Sequence, residues 1–167
     1  MLVLRASKTM AVAVIALLVS LVAFGNLTDY DTNFAFVQHV LLMDTTFPSS
    51  TIRYRAITNP VLHHAAYALI IAAEVMTAAL CWIGAFQLLQ RLRDTGQRFN
   101  HAKRTAIAGL TVGFLLWQVG FIAIGGEWFA MWMSQQWNGI PSAFRYLVMT
   151  LGILIFLSLP DHDISED

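Results

Sequence analysis

The sequence holds a single cysteine, Cys81, among 167 residues. No disulfide can close within the chain, and a thiol–disulfide relay built inside it is excluded. Charge is scarce as well: 12% of residues are charged and 57% hydrophobic, where a soluble domain carries roughly 25% charge. Ten Lys and Arg balance ten Asp and Glu. The chain therefore lacks the basic footprint of a nucleic-acid binder. No nucleophile stands at motif spacing from a base, no glycine-rich phosphate loop occurs, and no helix carries paired carboxylates. These absences argue against an ordinary enzyme. They leave a composition whose solvent is a lipid bilayer.

Four apolar runs organise what is present. Residues 9–25 form the first, close to the roughly 20 residues that span a bilayer. They read as a retained helix rather than a cleaved leader, although Ala23-Phe24-Gly25 has a weak cleavage pattern. Arg5 and Lys8 make a short basic start before it. A loop over 26–60 follows. Within it, Phe34, Val37, Val40 and Leu41 recur at helical spacing, and Asn33 to Asp44 is too short to span. This segment reads as an interfacial helix lying at the membrane surface, ended by Phe47-Pro48.

Asn59-Pro60 opens the second run, with proline in its first turn. It covers 61–89, long enough to tilt or protrude. Residues 90–104 form a basic hinge. The third run covers 105–125, a Trp-rich loop spans 126–141, and the fourth run covers 142–159. Residues 160–167 form an acidic tail. The expected fold is a single all-α domain of four transmembrane helices arranged as two hairpins. Seven of the ten Lys and Arg lie in the N-terminus and the hinge. By the positive-inside rule both termini are cytoplasmic, and the two longer loops share the opposite side. In a bacterium that is the outer face of the inner membrane.

The Trp-rich loop, GGEWFAMWMSQQWNG over 125–139, holds three of the five tryptophans: Trp128, Trp132 and Trp137. Tryptophan suits a lipid–water boundary, where the ring is half apolar and its N–H needs a partner. Placed beside the first outer loop, it forms one cap. Glu127 is expected to bridge to Arg145, and Asp44 to Arg53 or Arg55, as charge-assisted staples.

Glu74 is the sharpest single residue. It falls near the middle of the second helix, where a charge costs at least about 2.5–3.5 kcal/mol, so it must face the interior, a cavity or a partner. Its candidate partners are Ser20, Thr77, Gln118 and Thr150. Without a cation at similar depth, a neutral Glu74 is expected at pH 7. The bland reading is a hydrogen bond that fixes helix register. The functional one is a proton or ligand site.

Gly109 and Gly113 form GxxxG on the third helix, and Ala73, Thr77, Cys81 and Ala85 form a small-residue row on the second. Both allow close backbone approach, either within the chain or against another subunit. His39, His63 and His64, with Asp44 and Glu127, are the metal candidates on the outer side, and His39 with His63 or His64 the haem candidates, but no pair shows ligand spacing, since adjacent residues point about 100° apart on a helix. No cofactor is expected.

The segments FVQHVLLMDTTFP (36–48), RAITNPVLHHAAYALIIAAE (55–74) and GGEWFAMWMSQQWNG followed by AFR (125–145) resemble a bacterial family of predicted small integral membrane proteins. The resemblance covers residues 5–159. It implies a four-helix inner-membrane protein and carries over no activity. Three functions stay open: an accessory or interaction subunit of a larger membrane assembly, including self-association; a small transporter or ligand binder using Glu74; and an electron-transfer subunit using the histidines.

Overall fold

The computed structural model describes residues 1–163; residues 164–167, the end of the expected acidic tail, lie outside it. Among the described residues the structure is all-helical. Five helices are named here: α1 (Leu2–Thr28), α2 (Tyr30–Leu42), α3 (Pro60–Gln90), α4 (Gly96–Leu115, passing without a break into a π-helical segment, Leu116–Trp128) and α5 (Ile140–Ser158). Four of them, all but α2, are long and apolar enough to cross a membrane.

Local chemistry sets their starts. The Asn59 side chain accepts a hydrogen bond from the Val61 N–H at 2.9 Å, and Pro60 occupies the first helical turn of α3. Thr95 caps α4 through the Arg98 N–H. Asn138 accepts from Ile140 N–H as α5 begins. A single residue, Asp29, separates α1 from α2.

Two helices start earlier than hydrophobicity indicated. α1 begins at Leu2 and takes Arg5 and Lys8 into its buried face. α4 begins at Gly96 rather than near Thr105. In its first turns Phe99, Lys103 and Ala106 face the core, while Arg98, His101 and Arg104 are exposed. An amphipathic start of this kind is hidden from a reading that follows continuous apolar runs.

α3 is the central element, packing against both α1 and α4, and α5 packs on α4. Val12, Ala16, Cys81, Leu88, Phe99 and Leu110 are fully buried in one core near the basic end. The α3–α4 contact is close. A Cβ added at Gly84 would lie 2.6 Å from the Ala106 Cα, and one at Gly109 would lie 2.9 Å from the Cys81 N. Gly113 faces Thr77 in the same way. The GxxxG face and the small-residue row therefore pack against each other within the chain.

The basic end is closed by a polar network. Arg5 donates to the carbonyls of Leu92 (3.0 Å), Asp94 (2.6 Å) and His162 (2.6 Å). Lys8 donates to Leu159 O (2.7 Å) and Asp161 Oδ2 (2.6 Å). Lys103 reaches the same carboxylate, and also Leu159 O and Asn100 Oδ1, both at 2.7 Å. The first turn of α1 thus sits beside the ends of α3 and α5 and the start of α4, so the four long helices alternate in direction. Residues Pro160 to Asp163 are not a loose tail. Asp161 is 3% exposed and clamps the segment after α5 to α1 and α4.

Candidate functional site

At the opposite end, the loop after α2 and the loop after α4 close over one hydrophobic cluster. Val37, Leu41 and Met43 meet Tyr67 and Ile71 of α3 and Phe129, Ala130 and Met131. Met43 and Ala130 have left-handed backbone, φ 52° and 53°, and both lie in this cap. Each tryptophan of the second loop fastens onto the first loop. The Arg55 guanidinium lies 4.6 Å from the Trp128 ring centre, and its Nη1 donates to Trp128 O. Phe47 meets Trp132 edge-on at 5.8 Å. His39 stacks on Trp137 at 4.6 Å. Thr45 adds a hydroxyl bond to Ser134 at 2.9 Å.

The expected charge staples form differently. Arg145 donates to Ser142 Oγ, and Glu127 is exposed and makes no ion pair with it. Both residues are exposed, where an ion pair gains little. Asp44 pairs with His39 at 2.7 Å rather than with an arginine. Arg53 instead donates to Thr46 Oγ1 and Thr46 O, closing its own turn. The α2 C-terminus places His39 and Asp44 five residues apart, nearer than either arginine.

Beneath the cap lies a cavity of about 380 Å³, and Glu74 lines it. Tyr67 and Glu74 are seven residues apart on α3, so both project from one face. The end of α1 supplies Asn26. Its amide nitrogen donates to Glu74 Oε1 at 3.0 Å and Oε2 at 2.8 Å. The Tyr67 hydroxyl donates to the Asn26 main-chain carbonyl at 2.9 Å and ties the end of α1 to α3. Glu74 is 1% exposed. None of the partners expected for it makes this contact. Ser20 bonds Ala16 O and accepts from Trp82 Nε1. Thr77 bonds Ala73 O one turn back. Thr150 is buried against the Gly113 region, and Gln118 is half-buried without a bond to Glu74. Depth in the bilayer does not by itself bring Ser20, Gln118 or Thr150 to Glu74. Asn26 instead stands at the end of α1, which continues past the apolar run far enough to reach it.

Six aromatic residues wall the cavity: Phe36, Tyr67, Trp117, Phe121, Trp137 and Tyr146. Trp117 and Tyr146 stack at 4.7 Å, and Trp117 meets Phe121 at 5.0 Å. The π-helical segment carries Trp117 and Phe121, and such segments recur at functional sites. Asn33, Gln136, Asn138 and Ser142 add polar groups toward the cap. Among the described residues lining this cavity there is one carboxylate and no Lys, Arg or His.

The histidines have separate partners. His63 is buried and its Nε2 meets Ile57 O at 2.7 Å. His64 stacks on Phe34 at 4.1 Å and bonds the Tyr30 hydroxyl. With His39 held by Asp44 and Trp137, no pair is brought together. No three His, Cys, Asp or Glu gather as metal ligands among the described residues.

Residues 4–160 match the family described as predicted small integral membrane protein (DUF2165). No curated protein and no solved structure matches the chain.

Proposed function

The chain belongs to that family of small integral membrane proteins, and from this premise we propose that it binds a small organic cation in the cavity above Glu74. One observation carries the reading. A buried carboxylate lines a cavity walled by six aromatic rings, with no basic side chain among the described lining residues. Aromatic faces attract cations, most strongly where water is excluded, and a carboxylate supplies the compensating charge. The volume falls in the range of about 300–1,000 Å³ usual for small-molecule sites. Asn26 orients both carboxylate oxygens, and Tyr67 ties the end of α1 to α3. The cap then acts as the roof of the site, facing the outer side of a bacterial inner membrane with both termini in the cytoplasm. The protein serves as a binding protein or as the recognition part of a transport step.

The test compares thermal unfolding of the detergent-solubilised protein with trimethylammonium compounds and with their uncharged tert-butyl isosteres. A ligand that binds only the folded state raises the midpoint, by an amount set by its concentration over Kd. The midpoint is expected to rise with the cations alone. Equal shifts with both series, or none with either, refute the proposal.

A second reading, an interaction subunit of a larger membrane assembly, draws on the aromatic surface of the cap. Trp128, Trp132, Phe47 and Tyr54 are 53%, 47%, 48% and 78% exposed. Purification in gentle detergent that yields only the free monomer counts against it.

A further inference from the structure

The basic end carries a second concavity, far from Glu74 and made of different chemistry. A groove of about 700 Å³ runs between the end of α3 and the start of α4. Gln87, Gln90 and Arg91 line one side, and Arg98, His101 and Arg104 line the other. Arg91 is paired with Asp94 at 2.9 Å. Among the described residues no carboxylate pairs with Arg98 or Arg104, and both are exposed. Three guanidinium groups thus share one acid in a groove that also offers amide donors. Guanidinium groups bind phosphate through paired N–H donors.

The groove's position adds a second observation. It lies where α3 and α4 leave their apolar runs. On the same faces toward the bilayer, following helical spacing, the side chains become apolar and remain exposed: Ile83 (50%) on α3 and Leu115 (49%) on α4. Polar donors for a head group therefore continue into an apolar seam suited to acyl chains. Basic pockets between transmembrane helices at a membrane surface have this composition when they hold anionic lipid.

We infer that this groove binds the phosphate of an anionic lipid, with Arg98 and Arg104 as its principal donors. The site is independent of the Glu74 cavity and stands or falls separately.

Native mass spectrometry of the full chain tests it, after exchange from mixed phosphatidylglycerol and phosphatidylcholine micelles. The wild-type protein is expected to retain phosphatidylglycerol selectively. The Arg98→Gln, Arg104→Gln double variant is expected to lose more than about nine-tenths of that retention, a tenfold weakening. Arg93→Gln removes a charge from the same end but outside the groove, and retains lipid as the wild type does. Both variants alter exposed side chains, and an unchanged unfolding midpoint verifies their fold. Inorganic phosphate separates the two sources of the anion. Lipid retention that persists in millimolar phosphate assigns the groove to the lipid, whereas displacement assigns it to free phosphate and overturns the lipid proposal. Retention by the double variant equal to wild type overturns it too, as does an equal loss in Arg93→Gln, which would reflect only the general positive field.

Discussion

At the scale of single residues, Glu74 separates two roles that a buried acid can play. Its hydrogen bonds with Asn26 are structural, while its place in the cavity wall sets it beside any ligand held there. Glu74→Gln keeps the shape and one acceptor for Asn26, so the unfolding midpoint in detergent is expected to stay close to wild type. Glu74→Leu leaves the Asn26 amide without its acceptor, at a cost of about 1–3 kcal/mol for an unsatisfied buried group. A lowered midpoint for Leu with little change for Gln is the predicted pattern in a thermal unfolding series. Comparable loss in both variants would mean that the charge itself holds the fold. Asp161 is the other informative residue. Burial alone would raise its carboxyl, but hydrogen bonds from Lys103 and Lys8, with their charges, outweigh that and hold it below the ordinary carboxylate range. A depressed value stabilises the fold above the unfolded-state value, about 3.9. That contribution disappears only as pH falls through the lower folded value. The clamp is therefore expected to stay shut through mild acid and to open below about pH 4. Limited proteolysis of the C-terminal segment across a pH series reads this directly.

At the scale of elements, the α3–α4 contact depends on missing side chains. Gly109→Ala places a methyl group 2.9 Å from the Cys81 backbone, and Gly84→Ala places one 2.6 Å from the Ala106 Cα. Backbone atoms cannot swing aside, so the helices must separate. Each change is expected to cost about 1–3 kcal/mol. Gly152 has nothing within 4 Å of an added Cβ, so Gly152→Ala is expected to be neutral or stabilising by up to about 1 kcal/mol. Midpoints of thermal unfolding for the three variants test the ordering. This contact was legible in the sequence, because small residues at spacing four and a GxxxG mark close approach wherever they occur. The four membrane-spanning helices were legible for the same reason: length and apolarity are additive along a chain. The helix starts at Leu2 and Gly96 were not. Both place basic residues on buried or amphipathic faces, and only tertiary contact shows that Lys8 and Lys103 share Asp161. Cap pairings such as His39 with Trp137, and the Asn26–Glu74 bond, join segments far apart in sequence, where helical periodicity carries no information.

At the scale of the whole molecule, the two ends do opposite things. The basic end is sealed by Arg5, Lys8 and Lys103 gripping the carbonyls of the segment that follows α5. Asp161→Asn would strand two buried ammonium groups, and removing one partner of a buried pair costs about 3–5 kcal/mol. The variant is expected to unfold at a much lower midpoint and to expose its C-terminal segment to protease at neutral pH. The cap end is stapled at its surface by Arg55–Trp128, Phe47–Trp132 and His39–Trp137, and beneath it lies a partly open cavity with an acid at its wall. A sealed base beneath a roofed cavity fits a protein that holds a ligand from one side.

That claim meets its most direct test in a binding titration followed by the fluorescence of Trp117 and Trp137, with tetramethylammonium as the probe. Saturable quenching is expected in the wild-type protein. Binding weaker by more than about tenfold, at least 1.4 kcal/mol, is expected in Glu74→Gln with an unchanged unfolding midpoint. Equal affinity in the two proteins, or quenching that never saturates in either, would contradict it.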